Sequence, residues 1–250
     1  MAMHHHKIDH VVIAVRDLEA ASAAYKKLGF HIEAGGANGP TENALIVFED
    51  GSYIELISLI GGLNRLIVRA LKSSGLLRLL SIVRPKQRYR FLEWFTNEGR
   101  ICDWCIEPTN MLKLKLDFDA RGTRMSEMVE YTRLRNDGVE VNWFLVAPFN
   151  VRSPFFIHDV SPRTTRVPSV ASGSHPNGAR GIHALTCGEF EILNQTGANE
   201  DTRALFDITQ DFTGASVRTG VTGENPHGTI EVFLSFEDES VRKLQVVEAG

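Results

Sequence analysis

The stretch Ile8-Asp9-His10-Val11-Val12-Ile13-Ala14-Val15 decides how this 250-residue chain folds. It is strand-like and mostly apolar, and it carries His10 near its middle. A second strand-like run, Ser52 to Ile57, carries Glu55 in the same way. An unpaired polar group in an apolar strand costs ~2–7 kcal/mol. Since both side chains can bind a metal, the pair marks a candidate site.

The residues between these two strands predict one helix and a hairpin. Asp17 is a plausible N-cap for a helix from residue 18 to 28, which Gly29 ends. Residues 30–33 read as a short strand, and 35–40, rich in glycine, as a turn or mobile loop. Residues 42–48 form a further strand, and Asp50-Gly51 supplies the turn before the strand of Glu55. The predicted order is therefore β-α-β-β-β.

The same order repeats later in the chain. It begins with a strand at 101–107 and a helix at 109–121, and it continues with strands at 130–135, 139–147 and 153–159. In this second repeat Asp103 occupies the position equivalent to His10, and His158 occupies the position equivalent to Glu55. A linker rich in Ser, Pro and Gly follows. A third round then predicts a strand at 181–189, a helix at 199–212 and two strands at 229–236 and 242–248.

Residues 61–98 interrupt the repeat with leucines at helical spacing and many basic residues. No run reaches the ~18 apolar residues that a membrane span needs. A helical cap over a pocket is the favoured interpretation. A helix that binds a membrane surface and a face for self-association are the two alternatives.

Composition excludes several classes of protein. The chain is 43% hydrophobic and 23% charged, which is typical of a globular protein, and its net charge of -4 gives no case for a nucleic-acid partner. Three cysteines make no disulfide framework, so we expect a reducing cytoplasm. Cys102 and Cys105 have C-x-x-C spacing, but no second pair accompanies them, and redox or zinc chemistry is the less favoured interpretation.

Several motifs, taken together and in order, resemble the glyoxalase-like domain of the vicinal oxygen chelate superfamily. The first strand with His10 and the run Tyr53 to Ile57 resemble the ends of its first module. Further matches, all in the expected order, are Leu28-Gly29-Phe30, Gly35-Gly36, Arg133 to Gly138, Ser153 to Ile157 and His175 to Ala179. Where such domains usually place a histidine after Gly-Gly, this chain has Ala37-Asn38. The insertion is also additional to the family pattern.

The resemblance implies an α+β fold of paired βαβββ modules, and the residue pattern adds a helical insertion and a third, partial module. The expected boundaries are 7–60 for the first module, 61–98 for the insertion, 99–160 for the second module, 161–180 for the linker and 181–250 for the third module. Many members of the superfamily hold one divalent metal with two residues from each module. By that resemblance the expected metal ligands here are His10, Glu55, Asp103 and His158.

These expectations lead to two functional hypotheses. The first is a metal-dependent isomerase, lyase or dioxygenase that uses Fe, Mn, Zn or Ni on a small oxygenated metabolite, with Glu55 and His158 as catalytic residues. The second is a metal-free pocket that binds or cyclises a hydrophobic ligand. If the third round pairs with the first, His183 and Gln245 complete the site instead. We expect a cytoplasmic monomer or homodimer with a small-molecule substrate, no nucleic-acid partner and no membrane contact.

Overall fold

The computed structural model describes residues 6–76, 87–96, 98–123, 125–135, 137–148, 153–168, 175–187, 190–193 and 230–247. Within these ranges the helices are α1 (Leu18–Lys27), α2 (Gly62–Ser73), α3 (Gln87–Trp94), α4 (Met111–Ala120) and α5 (Arg163–Arg166). The strands of the two modules are β1 (His6–Ala14), β2 (Glu33–Asn38), β3 (Thr41–Val47), β4 (Tyr53–Leu59), β5 (Arg100–Pro108), β6 (Val129–Leu134), β7 (Glu140–Val146) and β8 (Phe155–Asp159). The last strands are β9 (Ala179–Cys187), β10 (Phe190–Leu193), β11 (Ile230–Phe236) and β12 (Val241–Lys243).

The first eight strands form one curled sheet in the order β2-β3-β4-β1-β5-β8-β7-β6. In the first module β1 pairs with β4 in parallel, and in the second module β5 pairs with β8 in the same way. The two modules join where β1 runs antiparallel to β5. This is the predicted pair of βαβββ modules, and the fold class is confirmed.

The helices of the two modules begin with the same device. Asp17 caps α1 by accepting the Ala20 amide at 2.9 Å, and Asn110 caps α4 by accepting the Lys113 amide at 2.9 Å. Gly29, with φ of +83°, lies just beyond α1. Both helices pack their apolar faces on the outer face of the sheet, where Tyr25 and other buried residues form the main core.

Two loops differ from the expectation. Gly35 and Gly36 were predicted in a turn, but they belong to β2, which pairs with β3. A Cβ at Gly35 would lie 2.1 Å from Oδ1 of Asn43, so glycine allows this close approach. The stretch predicted as a linker contains the short helix α5. Its tight hydrogen bonding to the sheet, described below, explains why a Ser- and Pro-rich segment is ordered there.

The third round forms a separate four-stranded sheet in the order β10-β9-β11-β12. Buried residues of β9 and β11, among them Ile182, Leu185 and Val232, pack into the main core with the outer face of the large sheet. The helix predicted at 199–212 lies outside the described residues. The inner face of the large sheet stays uncovered by this second sheet and holds a cavity.

Candidate active site

A cavity of about 540 Å³ lies on the inner face of the large sheet. Both modules and the insertion contribute to its wall, which is largely apolar. Seven aromatic side chains line it: Tyr53, Phe91, Trp94, Phe95, Tyr131, Trp143 and Phe155. Of these, three come from α3 or the residue that follows it, so this part of the insertion forms part of the pocket wall. The volume suits a small organic ligand.

His10 points into this cavity from β1. A register shift of β1 against β5 lies between Ile8 and His10. The imidazole stacks on Tyr53 with ring centroids 4.5 Å apart and meets the edge of Phe155 at 5.3 Å. Its Nδ1 lies 2.6 Å from Oδ1 of Asp9. Stacking and hydrogen bonding together fix the orientation of the ring.

Asp9 is fully buried and is surrounded by cations. Arg166 contacts it with two guanidinium nitrogens, and Arg163 donates a further hydrogen bond. Burial would raise the pKa of Asp9, but Arg166, the His10 hydrogen bond and Arg163 together hold that pKa well below its ordinary value. Asp9 is therefore a carboxylate, and it accepts the Nδ1 proton of His10. In a neutral imidazole, this hydrogen bond places the proton on Nδ1 and the lone pair on Nε2.

Arg166 is the centre of a buried polar network. It donates to both carboxylate oxygens of Asp159, at 2.6 and 2.9 Å, and to the hydroxyl of Tyr53 at 2.6 Å. Burial works against the charge on Arg166, but Asp9 and its other partners raise its pKa well above the ordinary value. The cation and its two carboxylates thus satisfy one another, and α5 is held against β1 and β8.

Glu55 faces the same cavity from β4, beside His10. Its Oε2 lies 3.7 Å from Nε2 of His10. Its other oxygen accepts a hydrogen bond from Nδ2 of Asn43 at 2.6 Å. The Glu55 side chain is 15% exposed, so it is reachable from the cavity. Two proton-accepting groups therefore stand side by side on neighbouring parallel strands.

Arg133 reaches the cavity from β6, in the second module. Its Nε is buried and has no hydrogen-bond partner among the described residues. Burial lowers the pKa of Arg133, while the negative charge of Glu55, which lines the same cavity, raises it. A guanidinium stays charged even so. It is a cation available to an anionic group of a ligand.

Asp103, a predicted metal ligand, instead accepts hydrogen bonds from the insertion. It receives two hydrogen bonds from Arg90, at 2.7 and 2.6 Å, and a third from the indole of Trp94 at 2.8 Å. Both partners belong to α3. Asp103 and Arg90 are buried, and their pairing fastens the insertion to the second module.

His158, the other ligand predicted from the second module, does not meet His10 and Glu55. Strand β8 turns Phe155 and Ile157 toward the cavity, and Phe156 packs in the core on the opposite face. His158 follows the alternation of Phe156 and is exposed. His183 and Gln245, the alternative pair, are also exposed and belong to the part of the chain that forms the second sheet.

The fold family implies a divalent metal, and the donors here can be tested against it. The four predicted ligands do not form one centre, because only His10 and Glu55 lie together. A second group, Asp9, His10 and Cys105, has ligand atoms within 4.8 Å of one another. However, the oxygens of Asp9 are already bound, and burial raises the pKa of the Cys105 thiol well above its ordinary value, which makes it a poor ligand. Among the described residues, His10 and Glu55 are therefore the two donors of this site that remain open to a metal.

The sequence interpretation missed Asp9, Arg90, Arg163 and Arg166. Asp9 carried a signal, since two adjacent polar residues in an apolar strand require partners. The arginines carried a weaker one: Arg163 and Arg166 have i, i+3 spacing in a segment that composition alone assigned to a linker. Arg90 lay among many basic residues of the insertion, and nothing in the pattern distinguished it.

Comparison with known proteins identifies a family whose model matches most of the chain. The model of a family described as a glyoxalase-like domain matches residues 8–191. None of the curated proteins compared with the chain matches it. The structure is similar to that of a hypothetical protein from Staphylococcus aureus, with a TM-score of 0.55, 14% identity, and coverage of 98% of this chain and 89% of the other.

Weaker structural matches include a methylmalonyl-CoA epimerase from Mycobacterium tuberculosis, at TM-score 0.37 and 16% identity over 64% of this chain and 91% of the other. A Mn(II)-bound glyoxalase from Novosphingobium aromaticivorans matches at TM-score 0.33 and 10% identity, over 97% of this chain and 84% of the other. These two are too distant to bear on the chemistry. The family match spans most of the chain and agrees with the paired modules. The chain is therefore a member of the glyoxalase-like domain family, within the vicinal oxygen chelate superfamily.

Proposed function

We propose that this protein is an enzyme that moves a proton on a small, largely apolar metabolite that carries a carbonyl group. The observation that carries the proposal is the 2.6 Å hydrogen bond between His10 and the buried carboxylate Asp9. It orients an imidazole whose second nitrogen faces an apolar cavity. A histidine oriented by an aspartate is a recurrent general base.

The surrounding residues have complementary roles in this proposal. Nε2 of His10 removes a proton from the carbon next to the carbonyl, and Asp9 stabilises the imidazolium that forms. Negative charge develops on the carbonyl oxygen, and Arg133 is the cation that can stabilise it. Glu55, 3.7 Å from Nε2, can relay the proton to a neighbouring atom of the ligand.

The arrangement favours an isomerase among the classes considered. His10 and Glu55 come from adjacent strands and address the ligand from the same side. A proton shift between neighbouring atoms needs acid and base groups on one side, whereas inversion of a carbon centre uses groups on opposite sides. The aromatic wall of the cavity suits a planar apolar body.

Hydrogen exchange tests this proposal. The protein in D₂O should catalyse loss of the carbon-bound protons next to the carbonyl of benzylpyruvate, followed by NMR. Arg133→Gln should slow that exchange by about a hundredfold, the usual effect of removing one donor to a developing oxyanion. Arg135→Gln is the matched control, because Arg135 lies near the end of the same strand and bonds instead to Asp137 and the Thr165 carbonyl. Equal rates in wild type and Arg133→Gln would contradict the role of Arg133.

A divalent metal held by His10 and Glu55 is the second candidate. One observation favours it: histidines that bind metals usually donate their other nitrogen to a carboxylate, as His10 does to Asp9. A bound metal would act as a Lewis acid toward ligand oxygens. Elemental analysis of protein purified without a metal resin tests it. Glu55→Ala should then weaken metal binding by at least about tenfold, and protein that is free of metal but active in exchange would exclude it.

A further inference from the structure

Helix α2 presents an apolar face to solvent. Leu63, Leu66 and Ile67 are 71%, 64% and 48% exposed, and their spacing places them on one side of the helix. The opposite side is anchored by Val68, which is buried with Leu59, Trp94 and Phe95. The helix is thus fixed to the cavity wall by its inner side, while its larger apolar side chains point away from the protein. In the predicted cap, the apolar face of the helix would be covered by the modules and the basic residues would face solvent.

The charged residues of helix α2 are all basic. Helix α2 contains Arg65, Arg69 and Lys72 and no acidic residue. The acid-free stretch continues in sequence from residue 61 to 92 and holds eight basic residues, although the whole chain has a net charge of -4. Lys72 donates to the Thr96 carbonyl, which leaves its charge uncompensated. The carboxylate of Glu98 forms an ion pair with Arg69 at 3.8 Å, so one acidic group stands against the three basic residues of the helix.

Helix α4 provides an internal comparison. It also exposes two leucines, Leu112 at 59% and Leu116 at 60%. Its lysines, however, pair with aspartates one turn later, Lys113 with Asp117 and Lys115 with Asp119. Exposed leucines therefore occur on both helices, and only α2 combines them with unbalanced positive charge. That combination is the signature of a helix that lies on an anionic lipid surface.

We propose that α2 docks the protein on anionic membranes. Leu63, Leu66 and Ile67 enter the boundary between headgroups and acyl chains, and Arg69 and Lys72 contact lipid phosphates. None of the described helices is long and apolar enough to cross a bilayer, so the contact is with the surface. Because α2 packs on Leu59 and Trp94, which line the cavity, docking holds the cavity about one helix diameter, ~10 Å, from the lipid. An apolar ligand can then reach the cavity from the membrane.

Co-sedimentation with vesicles tests the proposal on the full chain. Wild-type protein should sediment with vesicles of phosphatidylcholine and phosphatidylglycerol in low salt, and should be released in high salt. Leu66→Asp should weaken this binding by about tenfold or more, because it places a charge in the apolar face and repels anionic lipid. Leu116→Asp is the matched control on α4, with nearly the same exposure, and should bind like wild type. Arg69→Gln should bind more weakly while its circular dichroism spectrum stays that of wild type.

Three results would overturn the proposal. The first is failure of the wild type to bind the anionic vesicles. The second is equal loss of binding in Leu66→Asp and Leu116→Asp. The third is a dimer in analytical ultracentrifugation that Leu66→Asp converts to a monomer, because α2 would then cover a second copy of the chain.

Discussion

His10 in β1 and Asp103 in β5 lie on the two strands where the modules join, and each is a polar residue in an apolar strand. Their surroundings differ. His10 has one nitrogen bound to Asp9 and the other open to the cavity. Asp103 has three strong donors from Arg90 and Trp94. One polar residue is oriented and left reactive, and the other is fully paired. In the proposed function the duplicated modules divide their tasks: the first offers the acid and base groups, and the second offers Arg133 and fastens the insertion that lines the cavity.

The largest expected effect concerns Asp103. Asp103→Ala removes the partner of a buried arginine and of a buried indole, and should lower the free energy of unfolding by about 3 to 5 kcal/mol. Urea denaturation measures it. The double variant with Asp103→Leu and Arg90→Met removes both charges and should recover most of the loss. A loss of under about 1 kcal/mol for Asp103→Ala would show that Asp103 is not the structural member of the pair.

A third buried polar group, His175, sharpens the comparison because it stays neutral. Nδ1 of His175 accepts the His31 amide at 3.0 Å, and Phe30 and Phe48 surround the ring. Burial, followed by the effect of His31, lowers the pKa of His175 from 6.5 to about 4. Below pH 6.5 His175 binds a proton in the unfolded chain but not in the folded chain. The free energy of unfolding therefore falls as the pH decreases from 6.5 to 4.

The size of this pH effect follows from the shift of the His175 pKa. It amounts to about 3 kcal/mol once the pH has fallen through both values. His175→Gln should remove that part of the pH dependence, although it lowers stability at neutral pH by the loss of packing. Denaturation of both proteins in urea between these two pH values is the measurement. Parallel stability curves for the two proteins would show that His175 does not titrate in this way.

The smallest effect on stability is expected at Glu55. It is partly exposed and has one hydrogen bond from Asn43, which glutamine can still accept. Glu55→Gln should therefore change the free energy of unfolding by under about 1 kcal/mol, while it slows the proposed proton transfer. If Glu55→Gln destabilised the protein as much as Asp103→Ala, Glu55 would be a structural residue and the contrast between the modules would fail.

The comparison also shows what sequence can and cannot predict here. The paired modules, the cap of α1 and the location of Glu55 follow from local patterns of apolar residues, caps and turns. The second half of the site does not. The run from Phe155 to Ile157 is continuously apolar, so it does not reveal which face looks into the cavity, and His158 lies on the other face. Asp103 was predicted as a metal ligand from its matching position in the repeat, but its partner Arg90 comes from an insertion with no counterpart in the repeat.

The central claim is that proton transfer belongs to the His10 side of the cavity and not to the second module. Deuterium exchange into benzylpyruvate by His10→Gln, compared directly with His158→Gln, tests it. Both variants remove one imidazole, one inside the cavity and one on the exposed outer face. The account predicts a loss of about a hundredfold or more for His10→Gln and the wild-type rate for His158→Gln. Wild-type exchange in His10→Gln, or an equal loss in His158→Gln, would contradict it.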